Sequence, residues 1–189
     1  MSLFARLIVA SLASLGMASW CLPTAQAQTR PKKRQGATTS SSATSPEALQ
    51  QAITLYNQGK YAEAERLLRG MQGPDASAYL SVSLARQQKF AEAEAPANSA
   101  LAADPVHAVA AEGLGQSLVG QKKYDDAVNR LSGVLAAKND VAYAYYWRGM
   151  AYYNKRQPDR MVGDFEAFLR LAPQAPEAAT VRQLLATFK

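Results

Sequence analysis

The chain has 189 residues and 20.4 kDa, with 48% hydrophobic, 19% charged and 8% aromatic residues, which suits one globular domain with extra segments and excludes a large multidomain enzyme. Its net charge of +6 is uneven: Arg6, Arg30, Lys32, Lys33 and Arg34 supply five of the six excess charges, every acidic residue lies beyond position 44, and the near-neutral remainder excludes a basic nucleic-acid-binding face. With Cys21 placed in a removable leader, the single Cys and the single His, His107, cannot build a zinc site or a Cys-His nucleophile pair.

Arg6 is followed by an uncharged, mostly apolar run over 7–20, then by Pro23 and by Ala25-Gln26-Ala27, with small residues where a signal peptidase needs them. The expectation is a secretory signal over 1–27, cut after Ala27, and hence an exported, periplasmic protein. The run falls short of the roughly 20 apolar residues of a comfortable membrane span. Two alternatives stay open. Four positive charges just past the cut favour retention as an uncleaved anchor, and Cys21 sits where a lipoprotein carries its lipidated cysteine, although Trp20 replaces the usual small residue before it. Residues 28–44 are too poor in apolar side chains to offset the entropy of ordering and are expected to form a disordered basic and Ser/Thr-rich linker. Its cluster Arg30, Lys32, Lys33 and Arg34 allows a weak contact with an anionic membrane surface.

From Ser45 onward the sequence repeats. Ser45-Pro46-Glu47 supplies a helix start: an N-cap serine, proline at the first position, and an acid in the first turn. Small residues then recur at Ala52, Ser81, Gly115 and Gly149, turn positions at Tyr61, Phe90, Tyr124 and Pro158, and a further column at Ala64, Ala93, Ala127 and Met161, with offsets of 29, 34 and 34. Leu55, Leu84, Leu118 and Tyr152 keep the same register, as do Leu68, Ala97, Leu131 and Phe165. Each unit holds two runs with apolar spacings of three and four, joined by a short polar turn such as Gln121-Lys122-Lys123-Tyr124-Asp125, so each is a helical hairpin. A hairpin alone cannot cover its own apolar stripe, whereas stacked hairpins bury a continuous one.

The units run over 45–73, 74–107, 108–141 and 142–175, with a capping helix over 176–188 completing a domain over 45–189. The first is five residues short and its second helix should stop a turn early. Pro96 falls inside the second helix of the second unit, where proline removes a hydrogen bond and costs about 3 kcal/mol unless the helix kinks. Gly115 and Ala127 are expected to let the two helices of one unit approach closely, and Gly149 to make room for the larger Met161 and Phe168.

These residues resemble the tetratricopeptide repeat family, through Leu114-Gly115, Tyr124-Asp125-Asp126-Ala127 and Leu135 in one unit and Trp147, Gly149, Tyr152-Tyr153 and Pro173 in the next. The resemblance implies an all-α fold, a right-handed superhelical solenoid of about four hairpins plus the C-terminal capping helix. It also implies a concave groove, lined by the first helix of each unit, that binds a peptide or helical segment of a partner protein. Carried over by column, the groove receives Leu49, Ile53, Tyr56 and Asn57 from the first unit and Ala78, Tyr79, Val82 and Arg86 from the second. The third offers Glu112, Gln116 and Val119, and the fourth Tyr143, Tyr146, Trp147, Met150, Tyr153 and Asn154. Aromatic residues such as these are enriched at binding hot spots. Rings in 145–147 and 152–153 occur on every helix face, so several of them, Tyr145 and Tyr152 first, belong to the core. The carboxylate clamp of some relatives has no counterpart: its positions read Leu49, Ile53, Tyr79, Val109 and Gly113.

No catalytic residue, cofactor or metal is expected. His107, beside Asp104-Pro105, reads as a solvent-facing linker histidine, and Gly113-Leu114-Gly115 lies within a helix and lacks the third glycine of a dinucleotide loop. Acid pairs such as Glu63/Glu65 and Glu92/Glu94 recur in the same repeat columns, which marks them as solvated or helix-start charges. The expected function is a protein-interaction scaffold or adaptor of a bacterial cell envelope. The alternative is a permanent structural subunit of an envelope assembly that works through its convex face or cap.

Overall fold

Ser45 is extended, its Oγ accepts the Ala48 N–H at 3.2 Å, and Pro46 occupies the first turn of α1 (Pro46–Asn57). From this cap the computed structural model describes residues 45–188, and among them every regular element is a helix: α2 (Tyr61–Leu68), α3 (Pro74–Arg86), α4 (Phe90–Ala103), α5 (Ala108–Gly120), α6 (Tyr124–Ala137), α7 (Ala142–Asn154), α8 (Pro158–Leu171) and α9 (Ala178–Ala186). The leader, Cys21 and the basic cluster at 30–34 lie outside the described residues.

The fold is the expected all-α helical repeat, α1 to α8 forming four hairpins. Each reverses through one left-handed residue in the same repeat column, Gly59, Gln88, Lys122 and Arg156, with φ of 77°, 62°, 61° and 56°. Glycine takes this conformation freely, whereas the other three side chains each cost about 1 kcal/mol in it. The short first unit ends early, α2 having 8 residues against 14 in α4, α6 and α8. Pro158 stands in the first turn of α8, where its missing N–H costs nothing. Pro96 does not end α4, which runs through it while burying Ala93, Ala97 and Ala100. The last helix, α9, is shorter than the run over 176–188 and rests on α8, with Val181 and Leu185 against Met161, Phe165 and Phe168.

Curvature follows from which helices meet. Along the backbone the first helices α1, α3, α5 and α7 approach one another in sequence, whereas α2, α4, α6 and α8 stand further apart and meet only through side chains such as Arg130 of α6 and Asn98 of α4. The first helices therefore form the inner, concave layer and the second helices splay around the outside. Close approach within the inner layer depends on small residues. A Cβ added to Gly115 would meet Trp147 Cβ and lie 2.7 Å from its Cγ, so this glycine admits the first helix of the next unit, and not the second helix of its own as its column suggested. Gly149 does act within its unit, but it makes room for Phe165 and not for Met161 and Phe168 as expected: a Cβ there would lie 2.7 Å from Phe165 Cε1.

A polar clasp on the turn edge repeats with the units. Glu65 accepts from Arg69 Nε at 2.9 Å, Gln87 Nε2 at 2.7 Å and Lys89 Nζ at 2.9 Å. One unit later Glu94 accepts from Gln121 Nε2 at 3.0 Å and Lys123 Nζ at 2.9 Å. At the third junction this column carries Val128; Lys155 turns to Asp125 instead, and Gln157 Oε1 is left buried without a partner among the described residues. Glu65 is 5% exposed, so it is no solvated repeat charge. Burial opposes its ionisation, but the bonds from Lys89, Arg69 and Gln87 outweigh it and hold the carboxyl at about 2.

Candidate functional site: the concave face

Side chains from all four units and from the cap converge on the inner face. Tyr56 of α1 packs edge-on against Tyr79 of α3, ring centroids 5.7 Å apart, and its hydroxyl lies beside the Arg86 guanidinium. Arg86 Nη2 donates to Glu112 Oε1 of α5 at 2.8 Å and stands 3.7 Å from Glu177 Oε1 at the start of α9. Tyr143 of α7 donates its hydroxyl to Glu177 Oε2 at 2.8 Å. A single guanidinium thus sits between two carboxylates, walled by tyrosines.

Burial and charge shift the acidities here. The Tyr56 hydroxyl is pushed up to about 12, by burial first and by Glu112 second, with Arg86 opposing. Burial raises the Glu112 carboxyl above the usual range against the pull of Arg86. Burial also raises Tyr143, assisted by its bond to Glu177, and Tyr146 with it. Arg86 loses hydration, but Glu112 and Tyr56 more than restore its preference for charge.

The residues assigned to the groove by column divide into three groups. Tyr56, Tyr79, Arg86, Glu112 and Tyr143 meet in the network just described, while Ile53 and Gln116 lie half-buried, Gln116 Nε2 reaching the Ala85 carbonyl at 3.4 Å. A second group is packing. Val82 and Ala78 are fully buried, because the touching inner helices cover them, and neither lines a groove. Leu49 packs on the cluster that holds Ala52 and Leu68, Val119 on the one that holds Leu114 and Leu118, and Met150 on the Phe165 and Phe168 cluster. Tyr146 is wedged against Trp147, Phe168 and Phe165, with centroids 4.9, 5.1 and 6.1 Å away, so much of its ring is structural. A third group stands apart: Asn57, Tyr153 and Asn154 are exposed at the far ends of α1 and α7. Tyr153 and Asn154 join Pro158, Met161 and Phe188 around a cleft of about 460 Å³ at the C-terminal edge.

Glu177 was missed. It falls 34 residues after Tyr143, so the period alone places it in a groove column, but the column reading stopped at the fourth unit. His107 also differs from expectation. Its side chain is 11% exposed, its Nδ1 accepts the Ala110 N–H at 3.4 Å as an N-cap, and its Nε2 lies 3.0 Å from Asp75 Oδ1, tying the starts of α5 and α3 together. Among the described residues no group of three or more His, Cys, Asp or Glu could hold a metal ion, and no helix is long and apolar enough to cross a membrane.

Comparison with known proteins agrees with this architecture. The family model described as tetratricopeptide repeat matches residues 49–108 and 112–179. None of the curated proteins compared matches the chain. Among solved structures, TTC0263, a thermophilic protein of this repeat class from Thermus thermophilus, is 18% identical with a TM-score of 0.64 over 74% of this chain and 81% of its own. MamA from Desulfovibrio magneticus RS-1 is 21% identical, with a TM-score of 0.55 over 75% of this chain and 90% of its own. YrrB, described as a repeat protein with an unusual peptide-binding site, is 18% identical, with a TM-score of 0.56 over 70% of this chain and 71% of its own.

Proposed function

The chain belongs to the tetratricopeptide repeat family, and we propose that it is a protein-interaction scaffold of a bacterial cell envelope that binds a peptide or helical segment of a partner on its concave face. The observation that carries this reading is the convergence of Tyr56, Arg86, Glu112, Tyr143 and Glu177 from five successive segments onto one inner surface. Rings supply contact area at low entropic cost, and a charged centre fixes register. With several half-buried apolar side chains covered at about 1.5–3 kcal/mol each, against about 4–15 kcal/mol for immobilising a partner, micromolar affinity follows. The envelope part of the reading rests on the leader over 1–27 and the tail after it, whose basic cluster would add a weak contact with anionic lipid.

A second reading has its own observation. Tyr153 and Phe188 are 43% and 47% exposed beside the cleft at the C-terminal edge, as suits a permanent subunit that stacks on a neighbour end to end. Co-purification from the envelope fraction with Ile53→Asp and, separately, Phe188→Asp distinguishes the two. Loss of the partner with Ile53→Asp alone is the expected result. Loss with Phe188→Asp alone would replace the concave-face reading with the stacking one.

A further inference from the structure

The two inner carboxylates are only half used. Glu112 is 8% exposed, and its Oε1 takes the Arg86 bond at 2.8 Å, but its Oε2 has no donor among the described residues. Glu177 gives Oε2 to the Tyr143 hydroxyl at 2.8 Å, while its Oε1 stands 3.7 Å from Arg86 Nη2, beyond hydrogen-bond reach, and has no other donor among the described residues. Neither oxygen is sealed from solvent, in contrast to Arg86 Nε and Gln116 Oε1, which are buried without partners among the described residues. Each is therefore an open acceptor, filled by water in the free protein, that a partner's donor can take over.

Charge points the same way. Two carboxylates share one guanidinium, leaving one negative charge over, and the inner columns add Asp75 on α3. A carboxylate or phosphate approaching Arg86 would meet both acids, whereas one incoming cation brings the pair of acids and the pair of cations to neutrality. The rings of Tyr143 and Tyr146, 6.1 Å apart and edge to face, are packed on Phe168 on one side and half-buried, and their remaining open edges offer an apolar and π-rich wall for the stem of such a side chain.

We propose that the concave face recognises its partner through a basic side chain, Lys or Arg, that donates to the free oxygens of Glu112 and Glu177 alongside Arg86 and lays its stem on Tyr143 and Tyr146. The proposal rests on the concave face being the binding surface and names the chemistry it selects. The ligand is a protein segment with an exposed cation, the reverse of the acidic C-terminus that a carboxylate clamp would hold.

The test is fluorescence anisotropy with the purified protein and three labelled nonapeptides: Arg-Leu-Ala repeated three times, the same peptide with citrulline for each Arg, and the same with Glu. Citrulline keeps the shape and most donors but removes the charge, so the comparison does not depend on any variant folding. The Arg peptide is expected to bind in the micromolar range, the citrulline peptide at least tenfold more weakly and the Glu peptide not measurably. Glu177→Gln is expected to weaken the Arg peptide about fivefold to tenfold and leave the citrulline peptide unchanged, while Glu166→Gln, exposed on outer helix α8, changes neither. Equal binding of the Arg and citrulline peptides, or equal effects of Glu177→Gln and Glu166→Gln, overturns the proposal. If that binding is still lost with Ile53→Asp, the concave-face reading survives. If Ile53→Asp has no effect on any bound peptide, that reading falls as well.

Discussion

Replacing Gly115 with alanine brings a methyl group against Trp147 Cβ and to 2.7 Å from its Cγ, where ordinary contact is 3.4–4 Å, so α5 and α7 must separate by about an ångström. Trp147 Cβ is fixed to its backbone and cannot swing away. Overpacking of this kind costs about 1–3 kcal/mol, and with an immovable neighbour the upper figure applies; about 1 kcal/mol returns as the better helix propensity of alanine. The net is a loss of about 2 kcal/mol, or roughly 4–8 °C in Tm for a domain of this size. Gly133 on α6 and Gly163 on α8 are the controls, since a Cβ at either meets nothing within 4 Å. There the same substitution keeps only the propensity gain, about 1 kcal/mol and 2–4 °C upward. Far-UV circular dichroism through a thermal melt reads all three. A Gly115→Ala protein that melts above the parent, as Gly133→Ala should, would refute the close approach of the inner helices and the curvature argued from it.

Other outcomes follow from the polar contacts. Because the folded Glu65 carboxyl is held at about 2, below its usual range, its stabilisation is complete above that range and is lost as pH falls toward 2. Solvent around the exposed ends of Arg69 and Lys89 reduces the linkage value to about 1–3 kcal/mol, so Glu65→Gln should destabilise by that amount at pH 7 and by only a small part of it near pH 2, read by urea unfolding at both. Arg148 binds Asp164 through two bonds of 2.8 and 2.7 Å and Ser132 of α6 at 3.0 Å, with side chains 18% and 8% exposed. Asp164→Ala should therefore cost about 3–5 kcal/mol, and adding Arg148→Met should recover most of it. Lys122→Gly and Arg156→Gly should each raise stability by about 0.5 kcal/mol, the left-handed strain removed exceeding the entropy added to the unfolded chain, whereas Gly59→Ala should lower it by about 1 kcal/mol.

Much of the fold was legible because a repeat writes the same contact several times. The column Ala52, Ser81, Gly115 and Gly149 announces a place where helices approach, whereas the left-handed turn shared by Gly59, Gln88, Lys122 and Arg156 was not read from the sequence, since three of the four are not glycine. The concave face was less legible. Column position assigns a side chain to a helix face, but whether that face is open depends on how tightly the array curves, and this is set by packing between units. Val82 reads as a groove residue and is buried because α3 and α5 touch, while Tyr146 reads as an open ring and is held by Phe165 and Phe168. Glu177 lay in plain register 34 residues after Tyr143. It joins the site because the start of the cap helix reaches the inner surface, a tertiary fact with no local signature.

The most direct measurement of the central claim is site-specific photo-crosslinking in cells, with a benzophenone side chain placed at Ile53, half-buried on inner helix α1, at Glu166 on the outer helix, or at Phe188 beside the cap cleft. A discrete envelope-protein adduct from position 53, absent from position 166 and reduced in yield with Glu177→Gln, is the predicted result. An adduct from position 188 or 166 with none from position 53 would contradict the account.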